Sequence, residues 1–241
     1  MTITNSASLD FDAPLGGNGD VLEDPRRDFE PERLDPTLRV HTISEDDALW
    51  IPAENFVYRA FRVSEFCRES PRHVVEETEP WRRGSLLHVI TDHNSPVGVA
   101  RTILGTYDQL PVSQFEPEID VPSGRLCEIG SLAVQPTQRG LGVANELHRL
   151  AFMAGIHAGI EGFCFLIDSW MFDFFQTHYG LPVRALASPR SFMGGEVVPT
   201  GMWVPEMLHV LFRTRPNVYK WAVESLEPRL FAEYDLPIVL D

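Results

Sequence analysis

The stretch Cys127-Glu128-Ile129-Gly130-Ser131-Leu132-Ala133-Val134-Gln135-Pro136-Thr137-Gln138-Arg139-Gly140-Leu141-Gly142-Val143-Ala144 decides the fold. An apolar strand over 126–134 ends at Pro136, which cannot continue a sheet ladder. A glycine-rich turn then opens directly into an amphipathic helix. That helix is expected over 141–159, with Val143, Leu147, Leu150 and Ala154 on one stripe. The first N–H groups of such a helix have no internal partner, and its dipole places partial positive charge at that end. Gly140 and Gly142 allow close backbone approach and Arg139 adds a full charge, so residues 139–144 read as a cradle for a diphosphate. The turn is not a Walker loop, because no Lys-Ser/Thr pair follows. It is not a dinucleotide fingerprint either, since Asn145 stands where GxGxxG needs its last glycine.

Outward from this unit, strands are expected over 86–91 and 97–104 around the turn Asp92-His93-Asn94-Ser95-Pro96. The wholly apolar run 162–167 suits a buried central strand. A helix over 170–179 stops at Gly180, and 183–186 and 196–204 read as extended. Residues 207–213 and 218–226 read as helical. Upstream, Ser44-Glu45-Asp46-Asp47 marks a helix start, with Trp50, Phe56, Tyr58, Phe61 and Phe66 as its apolar positions. Strands alternating with helices indicate a single α/β or α+β domain over 37–241.

Composition narrows the function classes. The 241 residues carry 35 acidic and 20 basic side chains, a net charge of −15, and 44% of them are hydrophobic. Nine acids, three arginines and four prolines fall within residues 1–36, which read as a mobile acidic leader. The charge opposes a cationic nucleic-acid groove. No apolar run approaches the ~20 residues needed to span a bilayer. The first residues lack a secretory pattern, so a cytoplasmic location is expected. Cys67, Cys127 and Cys164 form no disulfide framework, and the eight histidines show no ligand spacing, so no metal is expected.

The spacing Arg139-x-x-Gly142-x-Ala144, after a strand ending Leu132-Ala133-Val134, resembles the loop of the GNAT N-acyltransferases that holds the pyrophosphate and pantetheine of acyl-coenzyme A. Further motifs are Trp81-x-x-x-Ser85-x-x-His88, Pro96-Val97-Gly98-Val99-Ala100-Arg101 and Glu128-x-x-Ser131. Their order is similar to the N-acyl amino acid synthase and acyl-homoserine-lactone synthase branch of that superfamily. The resemblance implies a central mixed, largely antiparallel twisted sheet of about seven strands with helices on both faces. It implies pantetheine contacts at Leu132, Ala133 and Val134, and phosphate contacts at Arg139, Gly140, Leu141, Gly142, Val143 and Ala144. It places Arg101 and Ser131 in the acceptor pocket and makes Glu128 the base. The donor would be acyl-coenzyme A, or acyl-phosphopantetheine on acyl carrier protein. The acceptor would be a small amine such as an amino acid. Gly130-Ser131 replaces the Ser-Arg of the lactone synthases, which places a lactone product in doubt.

Amide formation from a thioester needs a neutral amine, so a carboxylate with a pKa raised towards neutrality suits the work of Glu128. The alternative for Glu128 is a strand-end ion pair with Arg125 or Arg101. Strand N–H groups near Leu132 to Val134 would stabilise the oxyanion. Tyr179 is expected to pack at its helix end, and Cys127 and Cys164 to pack in the core. Trp170 and the aromatics after it have two readings, core packing or the wall of a tunnel for a medium or long acyl chain. Met193, Met202, Trp203 and Met207 would add adaptable walls. Two other functions stay open, an acetyl-coenzyme A-dependent N-acetyltransferase of a small amine and a non-catalytic acyl-coenzyme A-binding module.

Overall fold

A computed structural model of the chain describes residues 31–138, 140–177 and 179–237. Among the described residues eight strands form one sheet: β1 (Arg39–Ile43), β2 (Leu86–Asp92), β3 (Ser95–Gly105), β4 (Leu126–Val134), β5 (Gly162–Asp168), β6 (Arg184–Ala185), β7 (Arg190–Phe192) and β8 (Gly195–Trp203). The order across the sheet is β1-β2-β3-β4-β5-β8-β6, with β7 also paired to β8. Only β4 and β5 run parallel; every other pair is antiparallel. The helices are α1 (Trp50–Val63), α2 (Val143–His157), α3 (Ser169–Thr177), α4 (Val204–Thr214), α5 (Pro216–Val223) and α6 (Pro228–Glu233).

The expected elements are present with boundaries shifted by a few residues, except that Ser44-Glu45-Asp46-Asp47 lies in a turn and the helix begins at Trp50. β2 and β3 meet in a two-residue turn in which His93 and Asn94 both have positive φ, 46° and 69°. That conformation matches the twist of paired strands. β1, unforeseen in the sequence, is an edge strand whose five residues are mostly exposed and of mixed polarity, so it has no strong apolar alternation. On α2 the buried positions are Val143, Leu147, Ala151, Met153 and Ile156 rather than Leu150 and Ala154.

Two apolar layers sandwich the sheet. On one face α1 packs Trp50, Ala53, Phe56 and Val57 against Leu87, Val89 and Val99. On the other, α2, α4, α5 and α6 cover Cys127, Ile129, Phe163 and Phe165. Helix α2 lies close against β3, and Gly98 permits this approach. A Cβ on residue 98 would stand 2.5 Å from Val143 Cγ1 and 3.0 Å from Leu147 Cδ1. Gly98→Ala therefore overpacks this contact and is expected to cost about 1–3 kcal/mol, read as a lower Tm in thermal unfolding. No helix among the described residues is long and apolar enough to cross a membrane.

Candidate active site

Two irregularities of β4 build the site. Its register with β3 runs Gly98↔Val134 and Val99↔Ala133, then Arg101↔Gly130, so β4 holds one residue more than β3. The extra residue produces a bulge at Ser131, whose φ is 52°. The bulge resets the side-chain alternation. Ala133 joins Val99 in the α1 layer, whereas Leu132 and Val134 pack on the α2 layer.

The second irregularity is a parting of strands. β4 pairs β5 only at Leu126↔Gly162, Cys127↔Phe163 and Glu128↔Cys164. Beyond Glu128 the partner of β5 is β8 alone, along its whole length to Asp168. Among the described residues, main-chain groups of Ile129–Val134 on the β5 side therefore have no strand partner.

A cavity of about 300 Å3 passes through this gap. On the α1 side its walls include Phe61, Phe66, Trp81, Arg101, Glu128 and Met193. Ile129, Gly130, Ser131 and Leu132 line the passage. On the far side the walls are mostly apolar: beside Asn145 and His148 stand Phe152 and Ile156 of α2, Met171 and Phe175 of α3, and residues of α4 and α5. From α4 come Met207, Leu208 and Leu211, and from α5 come Val218, Trp221 and Ala222.

Glu128 sits where the strands part. Paired across the ladder with Ile103, it shares a face with Arg101, which is paired with Gly130 two residues along β4. It is 4% exposed and accepts a hydrogen bond from Val112 N–H at 2.7 Å. Neither expected ion pair forms. Arg101 pairs with Glu54, and Arg125 Nη1 donates to Ala158 O at 3.4 Å. Burial without a cationic partner raises the Glu128 pKa from 4.5 to about 8, against the lowering pull of the Val112 N–H.

Arg101 is 2% exposed. Its guanidinium bonds Glu54, approaches Ser85 Oγ at 3.5 Å and lies 5.7 Å from the Trp50 ring, while its Nε is buried without a hydrogen-bond partner. Burial pulls its pKa down, and the adjacent Glu54 carboxylate pulls it back up. Breaking such a buried pair on one side costs about 3–5 kcal/mol, so Arg101 can be tested only by a substitution that keeps its charge.

The other expected residues fall in different places. Ser131 and Leu132 line the cavity, and Ala133 is buried beside it. Gly140, Leu141 and Ala144 are exposed, whereas Val143 is buried between α2 and β3. Gly142 has φ 70° and lies beneath the main chain of Arg33 and Leu34. Arg139 lies outside the described residues, as does the leader up to residue 30. Trp170 is not brought to the cavity. It is 62% exposed and its indole N–H donates to Asp168 at 3.2 Å, because Met171 and Phe175, one turn apart, take the inward face of α3. Met207 and Met193 reach the cavity wall, whereas Met202 is core. Tyr179 packs edge-on against Phe174 and Phe175 and also lines the cavity. Cys127 and Cys164 are buried, and burial raises both thiols, as inert packing groups require.

The stripe His148, Phe152 and Ile156 was missed in the sequence. Its four-residue spacing is visible there, but without the strand gap nothing marks that helix face as facing a cavity rather than core. His148 meets Phe175 edge-on, and its burial lowers its pKa to about 4, so it stays neutral. Among the described residues no group of three or more His, Cys, Asp or Glu side chains could hold a metal ion.

The family model for the acetyltransferase (GNAT) family matches residues 23–170. The chain belongs to this family of acyltransferases, which transfer acyl groups other than aminoacyl groups. No curated protein matches it in sequence. Among solved structures it is similar to FeeM, an N-acyl amino acid synthase from uncultured soil microbes. Identity is 13%, the TM-score is 0.57, and the match covers 72% of this chain and 96% of that one. It is also similar to BjaI, a coenzyme A-dependent acyl-homoserine lactone synthase, at 14% identity and TM-score 0.54, covering 85% and 92%. LasI, an acyl-homoserine-lactone synthase, matches at 12% identity and TM-score 0.55, covering 74% and 95%. These likenesses establish the shared fold.

Proposed function

We propose that the protein is an N-acyltransferase that moves a medium or long acyl chain from a pantetheine thioester to the amino group of an amino acid. The thioester is borne by coenzyme A or by a carrier protein. The observation that carries this reading is a continuous cavity through the β4–β5 gap, with a buried carboxylate on one side of the sheet and an apolar arm on the other. A thioester seated at the bulge would lay its pantetheine along Leu132–Val134 and its acyl chain between α2, α3, α4 and α5. The N–H groups of β4 left without a strand partner among the described residues are the donors available to its oxygen as negative charge develops there. An acetyl group would leave the apolar arm unused, which disfavours the acetyltransferase reading.

Glu128 is the base. It takes a proton from the attacking amine, the nitrogen bonds the thioester carbon, and the tetrahedral species collapses with departure of the thiolate. An amino acid suits the acceptor side because its amine would face Glu128 while its carboxylate would meet the guanidinium of Arg101, whose buried Nε has no hydrogen-bond partner. Arg101→Lys keeps the charge opposite Glu54 but loses the planar fork. It is expected to raise the KM for the amino acid by at least about tenfold with little change in kcat.

The direct test supplies the purified protein with a long-chain acyl-coenzyme A. Amino acids and the corresponding decarboxylated amines are offered in an equal mixture, and products are read by mass spectrometry. N-acyl amino acids are expected to dominate. A product mixture dominated by the decarboxylated amines would remove the carboxylate-binding role of Arg101. No acylated product from any amine, with acyl-coenzyme A or with acyl carrier protein supplied in its place, would leave the chain as a binding module.

A further inference from the structure

Residues 31–35 cross the turn that leads into α2. A Cβ on Gly142 would overlap Arg33 O and stand 2.7 Å from Leu34 N, so main chain lies on main chain at this point. The crossing is tied at several places. Asp35 N donates to Leu141 O at 3.2 Å, and Asn145 Nδ2 approaches Glu32 O at 3.5 Å. Leu34 packs on the cluster of Leu38, Val143 and Leu147. Arg33 bonds Glu224, just past α5, at 2.7 Å. Pro31 reaches the cavity wall itself.

We propose that residues 31–35 are an autoinhibitory strap that occupies the diphosphate cradle of the Gly140–Gly142 turn and must lift before coenzyme A binds. This inference rests on reading that turn as the donor's phosphate site. Volume makes strap and diphosphate mutually exclusive: where not even a methyl group fits over Gly142, a diphosphate does not.

The ties suit a removable strap. The Arg33–Glu224 pair is exposed on both sides, where ion pairs contribute little, and Leu34 is only half-buried. If the strap covers the turn most of the time, the apparent Kd for coenzyme A is raised by the reciprocal of the open fraction. Pantetheine, which has no diphosphate, is free of that penalty.

The experiment is calorimetric titration of the full chain with coenzyme A and, separately, with pantetheine. Arg33→Ser combined with Leu34→Ser loosens the strap and is expected to tighten coenzyme A binding by at least about fivefold, with pantetheine unchanged. The exposed substitution Arg33→Glu is expected to act in the same direction. Adding Glu224→Arg, which restores the pair with reversed charges, is expected to return the affinity towards wild type. Equal or weaker coenzyme A binding by the double variant, with pantetheine still bound, would overturn the strap alone. Pantetheine binding without any coenzyme A binding in either protein would remove the cradle and the strap with it. Failure to bind either compound would overturn the donor reading itself.

Discussion

Glu128→Gln is expected to lower the rate of acyl transfer by about 10²–10⁴-fold while leaving donor affinity unchanged, since removal of a positioned base costs that much. The amide is nearly isosteric, and its oxygen can still accept the Val112 N–H that the carboxylate accepts at 2.7 Å. In the wild type, kcat/KM is expected to rise with pH through the Glu128 ionisation at about 8. In the variant the enzyme's own ionisation disappears and only that of the acceptor amine remains.

The same substitution has a stability signature of opposite sense. The folded protein holds the Glu128 proton up to about pH 8, whereas the carboxyl gives it up near its ordinary value of 4.5 once unfolded. A raised pKa of this kind contributes stability that is present below 4.5 and lost as pH rises through about 8. Glu128→Gln removes this loss. Its Tm is therefore expected to match wild type near pH 5 and to exceed it by several degrees at pH 9. A carboxylate held by a salt bridge would give the reverse, so thermal unfolding at the two pH values separates the cases.

The second large effect concerns chain length. Ala222 of α5 faces the apolar arm, on the side of the sheet away from Glu128. Ala222→Trp places an indole where the acyl chain would run. Burial contributes about 0.8 kcal/mol per methylene, so denying space to three methylenes costs about 2.4 kcal/mol, or about 50-fold in kcat/KM. Palmitoyl donors are expected to lose that factor while octanoyl donors lose little, shifting the length preference downward. An equal loss for every chain length would indicate a damaged fold instead. Ala222 lies beyond the span of the family model, which ends at residue 170.

The strand, glycine turn and helix over 126–159 were legible because each obeys a local rule, as were most of the other elements. Glu128 was singled out in the sequence as the acid on that strand, and the structure puts it where β4 and β5 part. What the sequence did not show depends on three-dimensional pairing. The partner of Arg101 is Glu54, 47 positions away, which no local spacing marks. The parting of β4 from β5 after Glu128 comes from which residues pair, and neither strand announces it alone. The inward face of α3 follows Met171 and Phe175, so Trp170, the most conspicuous aromatic, points away. The end of the acidic leader read as mobile, because its composition gives no reason to expect that Leu34 anchors on α2.

The proposed acyl transfer requires one cavity to join a buried base to a channel for a long acyl chain. Its most direct test compares kcat/KM for palmitoyl-, octanoyl- and acetyl-coenzyme A with a saturating amino acid acceptor. The longer donors are expected to exceed acetyl by at least about 100-fold, the value of a few buried methylenes. An acetyl donor used as well as or better than the longer ones would contradict it.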